Sequence, residues 1–185
     1  MTNVFFHIIL LAHGQAYLGR KGGTGEKLRD AEDENTPNAA LIDFLAAISF
    51  LVAPPSAEWT CNRLSFTAKF KKAKYKTETD GALRTFCPSK NNSNVLIITE
   101  VKRRERNKRT ELIQMQESAE MAAWMLRTSP NLELFNGHCI LIAQDRHEIF
   151  LVFASCHADY LKYLKGGDIT PHAFLTMESY GPWDI

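Results

Sequence analysis

Hydrophobic and polar positions change their spacing along the chain, and each change predicts a new element. Residues 39–52 form a long apolar run. The run follows a typical helix start at 35–37, where a proline falls near the first turn, and it stops at the prolines 54–55. We therefore expect a buried helix between these signals.

Three strands follow in the pattern. Apolar residues alternate with Ser, Thr and Lys over 64–71, which predicts a strand with one wet, basic face. The stretch "TDGALRTF" at 79–86 predicts a short second strand. The stretch "VLIITEVK" at 95–102 is apolar enough for the centre of a sheet. This part of the chain therefore predicts a sheet built after the first helix.

The second half of the chain repeats both periods. Apolar residues recur every three or four positions over 110–127, as in an amphipathic helix. Two strands, 138–144 and 148–154, flank a turn at 145–146. A short helix closed by glycines then precedes an extended tail at 173–185. The order α-β-β-β-α-β-β-α predicts an α/β sandwich, because a doubly wound sheet alternates helices and strands regularly.

The first 35 residues differ from the rest. Their apolar segment, 4–12, has nine residues, which is too short to span a bilayer. No basic residues precede it, so it is a poor signal peptide. We expect an N-terminal apolar segment and loop at 1–35, one domain at 36–185, and no membrane partner. The four cysteines show no Cys-x-x-Cys spacing, which favours an intracellular, reducing location, nucleus or cytoplasm.

Charge adds a candidate partner. The 185 residues are 45% hydrophobic and 23% charged, an ordinary globular composition with a net charge of +1. The positive charges are clustered, however: 63–76 holds six basic residues and no acid, and 102–109 holds six basic residues and one acid. Two such clusters indicate a surface that faces a polyanion. Two alternatives remain open, a solvated face or, for the second cluster, a nuclear-import signal.

Candidate chemistry lies where the apolar strand 95–102 meets the second basic cluster. Glu100 and Lys102 share one face of that strand, because side chains two apart point the same way. Asp80 opens the preceding strand, and consecutive strands are usually neighbours. We therefore expect Asp80 to approach Glu100. The alternatives are an ion pair at the sheet edge for Glu100 and Lys102, and a plain Asp-Gly turn for Asp80.

Two carboxylates this close repel each other, and a divalent cation removes the conflict. Mg²⁺, or Mn²⁺ in its place, is held by carboxylates, waters and phosphate oxygens. We predict Asp80, Glu100 and the Val101 carbonyl as metal ligands. Lys102 would lie beside the metal-bound water, with its neutral form favoured, and would orient or deprotonate that water.

Together these residues resemble the signature of a known family. Asp80, "ITEVK" about twenty residues later and a helix holding "QMQESAEM" are similar to the PD-(D/E)XK nuclease superfamily. The stretches "MQESAEMAAWM" and "YGPWDI" look like an uncharacterised fungal branch of it. The resemblance covers residues 36–185. It implies a restriction-endonuclease-like core (αβββαβ), with a mixed central sheet flanked by helices.

The resemblance also implies roles for single residues. Asp80 and Glu100 would be metal ligands, Lys102 the catalytic lysine and Gln116 the helix glutamine that supports the site. Thr79 stands where the family has a proline, and Asp43 is the candidate for an acid found in the first helix. For Gln116 the alternative is an exposed helix residue. For Asp43, Glu117 and Glu120 a structural role is favoured.

The implied activity is metal-dependent hydrolysis of phosphodiester bonds in nucleic acid, with DNA favoured over RNA. Basic residues near the site would bind the phosphate backbone without reading sequence. The predicted contacts are Lys69, Lys71, Arg103, Arg104, Arg106, Lys108 and Arg109. One alternative is a module that keeps the fold, has lost catalysis, and binds nucleic acid or a protein. Another alternative is a secreted effector or toxin domain.

Overall fold

A computed structural model of the protein describes residues 35–52, 57–86, 95–104, 106, 109–128 and 132–184. The described helices are α1 (Asn35–Val52), α2 (Thr110–Thr128) and α3 (Ala158–Leu164), with a 3-10 turn at Leu132–Phe135. The described strands are β1 (Ala57–Thr60), β2 (Leu64–Lys69), β3 (Lys74–Thr79), β4 (Gly81–Thr85), β5 (Val95–Lys102), β6 (Cys139–Asp145), β7 (Glu148–Cys156) and β8 (Leu175–Asp184). The predicted segment and loop at 1–34 lie outside the described residues.

Six strands form one central sheet in the order β1-β4-β5-β6-β7-β8. Strands β5 and β6 run parallel, and the other neighbouring pairs are antiparallel, so the sheet is mixed. Strands β2 and β3 form a separate antiparallel pair. The prediction of an α/β fold with a mixed central sheet flanked by helices is confirmed.

Helices and the hairpin cover the two faces of this sheet. Helix α1 packs on one face, where Leu41 and Leu45 meet Ile97 and Val101 of β5. Helix α2 and the β2–β3 hairpin cover the other face, where Trp124 is fully buried. Central strands buried on both faces need near-continuous apolar sequence. This is why β5 and β6 are the strands most easily read from the chain.

Four elements depart from the prediction. The predicted strand over 64–71 forms, with alternating burial, but it pairs with β3 outside the central sheet. Neither β3 nor the short β1 is predicted, because "KYKTET" and "AEWT" lack an apolar alternation. Helix α1 is not buried all round, since Phe44, Phe50 and Leu51 are exposed.

The remaining elements follow the sequence closely. The β6–β7 turn falls at Arg146–His147, one residue later than the predicted turn at 145–146, and Cys139 pairs with Ala154. The predicted extended tail forms the edge strand β8. Within the described ranges, no helix has the length and apolarity that a membrane crossing requires.

Candidate active site at the end of strand β5

Asp80 is the link between the small sheet and the central sheet. It lies between β3 and β4, and its backbone N–H donates a 3.0 Å hydrogen bond to the carbonyl of Thr99 in β5. The side-chain amide of Asn38, on α1, donates a 2.8 Å bond to the Asp80 carbonyl. Because Gly81 pairs with Thr99 in the β4–β5 ladder, Asp80 is held beside Glu100.

The Asp80 carboxylate makes two contacts. Its Oδ2 accepts a 2.9 Å hydrogen bond from the backbone N–H of Val101, and its Oδ1 lies 3.4 Å from Nε of Arg63. Asp80 is buried, whereas the Arg63 side chain is about half exposed. In a strand the N–H and C=O of one residue point to the same side. The Val101 carbonyl therefore lies on the Asp80 edge of β5.

Glu100, Lys102 and Gln116 form one hydrogen-bonded group. Glu100 is 3% exposed, and its Oε1 accepts a 2.7 Å bond from Nε2 of Gln116 on α2. The same oxygen accepts a hydrogen bond from Nζ of Lys102. The Lys102 side chain is 22% exposed, so it reaches from the buried carboxylate towards solvent. The structure thus brings together Asp80, Glu100, Lys102 and Gln116, as predicted.

Glu120, for which the sequence favours a structural role, lies next to this hydrogen-bonded group. It lies one turn beyond Gln116, and the Gln116 Nε2 donates a 2.8 Å bond to its Oε1. Its side chain is completely buried, and its Oε2 has no hydrogen-bond partner. Burial, and then the charge of Glu100, raises the pKa of Glu120 to about 9. The sequence feature that points to Glu120 is that it shares a helical face with Gln116.

The charges around Lys102 differ from the expectation. Burial lowers the pKa of Lys102, but the carboxylates of Glu100, Glu120 and Asp80 outweigh burial and leave the pKa raised. Lys102 is therefore an ammonium ion in this arrangement, whereas the sequence favoured its neutral form. A positively charged Lys102 is suited to stabilise negative charge on a phosphate.

Arg106 departs from its predicted role. It is 8% exposed, and its Nε donates a 2.6 Å bond to Asp145 Oδ2. Its other nitrogens donate to both carboxylate oxygens of Glu117, at 3.1 and 2.5 Å, and its guanidinium lies 4.2 Å from the Phe150 ring centre. With its donors directed at buried carboxylates, Arg106 supports α2 and β6 rather than a phosphate backbone.

The other predicted phosphate contacts lie on the surface or outside the described residues. Lys69 and Lys71 are exposed on the β2–β3 hairpin, and Arg103, Arg104 and Arg109 are exposed between β5 and α2. Lys108 lies outside the described residues. Asp43 is exposed on α1, whereas the site lies beneath α2 on the opposite face of the sheet. The structure therefore does not bring Asp43 to the site.

A divalent cation at this site would have to be held by the oxygen donors around Asp80 and Glu100. Across the described ranges, no three His, Cys, Asp or Glu side chains converge as a ready-made metal site. The chemistry nevertheless fits, because carboxylate and carbonyl oxygens are the ligands that Mg²⁺ prefers. The buried Oε2 of Glu120, which has no hydrogen-bond partner, is a further oxygen that a cation could bind.

The chain matches no protein-family model, no curated protein and no solved structure.

Proposed function

We propose that the protein is a metal-dependent phosphodiesterase that hydrolyses nucleic acid, with DNA favoured over RNA, on a restriction-endonuclease-like core. The observation that carries this proposal is the Glu100 carboxylate. It binds Lys102 and Gln116 while lying beside Asp80 of the adjoining strand. The parallel β5–β6 pair on either side of α2 also supports such a core.

Each residue has a distinct task in this proposal. Asp80, Glu100 and the Val101 carbonyl would hold Mg²⁺ or Mn²⁺, with Glu120 as a further carboxylate close to them. When bound, such a metal polarises the phosphate and lowers the pKa of a coordinated water. Gln116 fixes the orientation of both glutamates, because its amide donates to each of them. The Lys102 ammonium, at the solvent side, binds a phosphate oxygen and orients the attacking water.

The test uses labelled single- and double-stranded DNA, and RNA, with Mg²⁺, Mn²⁺ or chelator. We expect cleavage with metal only, and at least a hundredfold loss in Glu100→Gln and in Lys102→Ala. Circular dichroism and urea unfolding show whether each variant is folded. An exposed lysine on α3 serves as the control, since Lys162→Ala should cleave like the parent. Equal cleavage by the parent and both site variants would end the proposal.

One observation favours a second candidate, a module that binds nucleic acid without cutting it. Both carboxylates among the predicted metal ligands already have a protein cation as partner, Arg63 for Asp80 and Lys102 for Glu100. If these pairs exclude metal, Mn²⁺ titrated into the protein gives no heat and no change in thermal stability. Binding of Mn²⁺ that Glu100→Gln abolishes would instead support the phosphodiesterase.

A further inference from the structure

The outer face of the β2–β3 hairpin carries a regular series of polar pairs. Lys69 lies opposite Lys74, Thr67 opposite Lys76 and Ser65 opposite Glu78. Five of these six side chains are exposed, and Thr67 is half-buried. The inner face packs on α2, where the Tyr75 hydroxyl donates a 2.8 Å bond to the Ala119 carbonyl. The packing fixes which face of the hairpin meets solvent.

The tip of this hairpin concentrates positive charge. Lys71 and Lys72 are exposed in the turn, directly beyond the Lys69–Lys74 pair. Like charges directly opposite each other destabilise a strand pair. Residues 63–79 hold six basic residues and one acid, a net charge of +5, so the rest of the chain carries −4. A cluster of positive charge that destabilises its own strand pair is typical of a surface that binds a polyanion.

The other end of the same face reaches the candidate site. Arg63 directly precedes β2, and its Nε lies 3.4 Å from Asp80 Oδ1. Strand β3 joins the tip to Asp80 through six residues, which span about 20 Å at about 3.4 Å per residue. Basic side chains therefore line this face from the tip to Arg63, with Glu78, whose Oε1 lies 2.6 Å from Nζ of Lys76, as the acid among them.

We propose that this outer face is a binding track for a polynucleotide strand that runs from the hairpin tip, past Arg63, into the site at Asp80. The track assigns contacts to Arg63, Lys72, Lys74 and Lys76 besides Lys69 and Lys71. A length of about 20 Å corresponds to about six stacked nucleotides at about 3.4 Å each. The substrate is therefore a chain of several nucleotides rather than a mononucleotide.

The choice of a polynucleotide over another polyanion rests on the proposed function, because the track ends at carboxylates suited to phosphodiester chemistry. The half-buried Thr67 and the exposed hydroxyl of Ser65 lie along β2 between the Lys69–Lys74 pair and Arg63. Hydroxyls and lysines are common phosphate contacts in complexes with nucleic acid. Anionic membranes and acidic proteins are alternatives that the experiment separates.

The experiment measures binding without catalysis. Fluorescence anisotropy with labelled 4- and 12-nucleotide DNA is recorded in chelator at several salt concentrations. The variant K71Q/K72Q/K74Q removes three exposed charges from the hairpin. Its matched control, R127Q/K162Q/K165Q, removes three exposed charges elsewhere. Anionic vesicles and polyglutamate are tested as competitors.

We expect the hairpin variant to flatten the slope of log affinity against log salt by about 2, since each contact to a single strand adds about 0.7. It should also lose the advantage of the 12-mer over the 4-mer, while the control variant keeps both. Equal effects of the two variants would overturn the track, as would competition by vesicles or polyglutamate at the DNA concentration or below. Because the binding experiment contains no metal, its result is independent of the cleavage test. If the hairpin variant behaves as expected but Glu100→Gln cleaves like the parent, the binding track is supported and only the phosphodiesterase proposal is refuted.

Discussion

The carboxylate of Asp80 accepts a hydrogen bond from the backbone N–H of Val101, the residue between Glu100 and Lys102. Strand β4 pairs with β5 only as far as Gly81 and Thr99. Beyond that pair, a side chain replaces the strand-to-strand hydrogen bonds: the Asp80 carboxylate accepts from the next backbone N–H of β5 on that edge. Asp80 therefore has a structural task besides its proposed chemical one, and substitutions can separate the two.

Asp80→Asn should retain the fold and lose the activity. An asparagine oxygen can still accept from Val101, so we expect a change of at most about 1 kcal/mol in unfolding free energy. Asp80→Ala leaves a buried N–H without a partner and should cost about 1–3 kcal/mol. Both variants should lose metal-dependent cleavage. Urea unfolding and the cleavage assay check this, and equal stability of the two variants would show that the hydrogen bond contributes little.

Glu120→Gln should change how stability depends on pH. The folded pKa of about 9 exceeds the ordinary value of 4.5, so the folded protein holds a proton that the unfolded chain releases between these values. The unfolding free energy of the parent should fall as pH rises from about 4.5 to 9, by at most about 1.4 kcal/mol per pH unit from this group.

A neutral amide removes that dependence, so the variant should exceed the parent in stability at pH 8 by more than at pH 5. Urea unfolding in chelator across this range measures the difference. A difference that stays constant with pH would show that Glu120 is ionised in the folded protein throughout.

Arg106→Ala should destabilise the protein strongly. It leaves the buried carboxylates of Glu117 and Asp145 without their cation, which typically costs about 3–5 kcal/mol. Arg104→Ala, two residues earlier and exposed, should change stability by at most about 0.5 kcal/mol. Urea unfolding compares the pair. A stable Arg106→Ala protein with a reduced salt dependence of DNA binding would instead restore the phosphate-binding role that the sequence predicts.

Gly81→Ala tests the close packing next to Asp80. A Cβ at this position would lie 2.5 Å from the Thr60 carbonyl oxygen and 2.8 Å from Thr99 Oγ1. We expect a loss of about 1–3 kcal/mol and a displaced Asp80 with weaker cleavage. Gly137→Ala is the comparison: nothing lies near its Cβ, but its φ of +87° should cost about 1 kcal/mol. Cleavage per folded molecule should fall only in Gly81→Ala.

The elements that the sequence predicts well are those whose apolar residues recur at a regular spacing. Strands β5, β6 and β7 and helix α2 bury apolar residues at regular spacing, so the chain alone indicates them. Strand β3 lacks this signal, because "KYKTET" keeps three side chains in solvent and packs through a tyrosine and threonines. Its partner β2 was therefore placed in the central sheet, although it pairs outside it.

For the charged residues of the site, too, the sequence predicts some positions and not others. The approach of Asp80 to Glu100 follows from neighbouring strands, which sequence order suggests. The sequence does not distinguish Arg106 from Arg104. Arg106 is buried through its bonds to Glu117 and Asp145, which lie far from it along the chain. Glu120 is likewise an ordinary helix acid until the packing of α2 removes it from water.

Because β5 and β6 run parallel, the helix that connects them, α2, determines which side chains reach the site. The chain leaves β5 just after Lys102, crosses through α2 and returns to run alongside, so Gln116 meets Glu100 only at one rotational phase of the helix. One residue inserted between Thr110 and Gln116 would turn the amide by about 100° away from Glu100, because an α-helix has 3.6 residues per turn. The residue count over the first turns of α2 therefore determines whether the Gln116 amide reaches the Glu100 carboxylate.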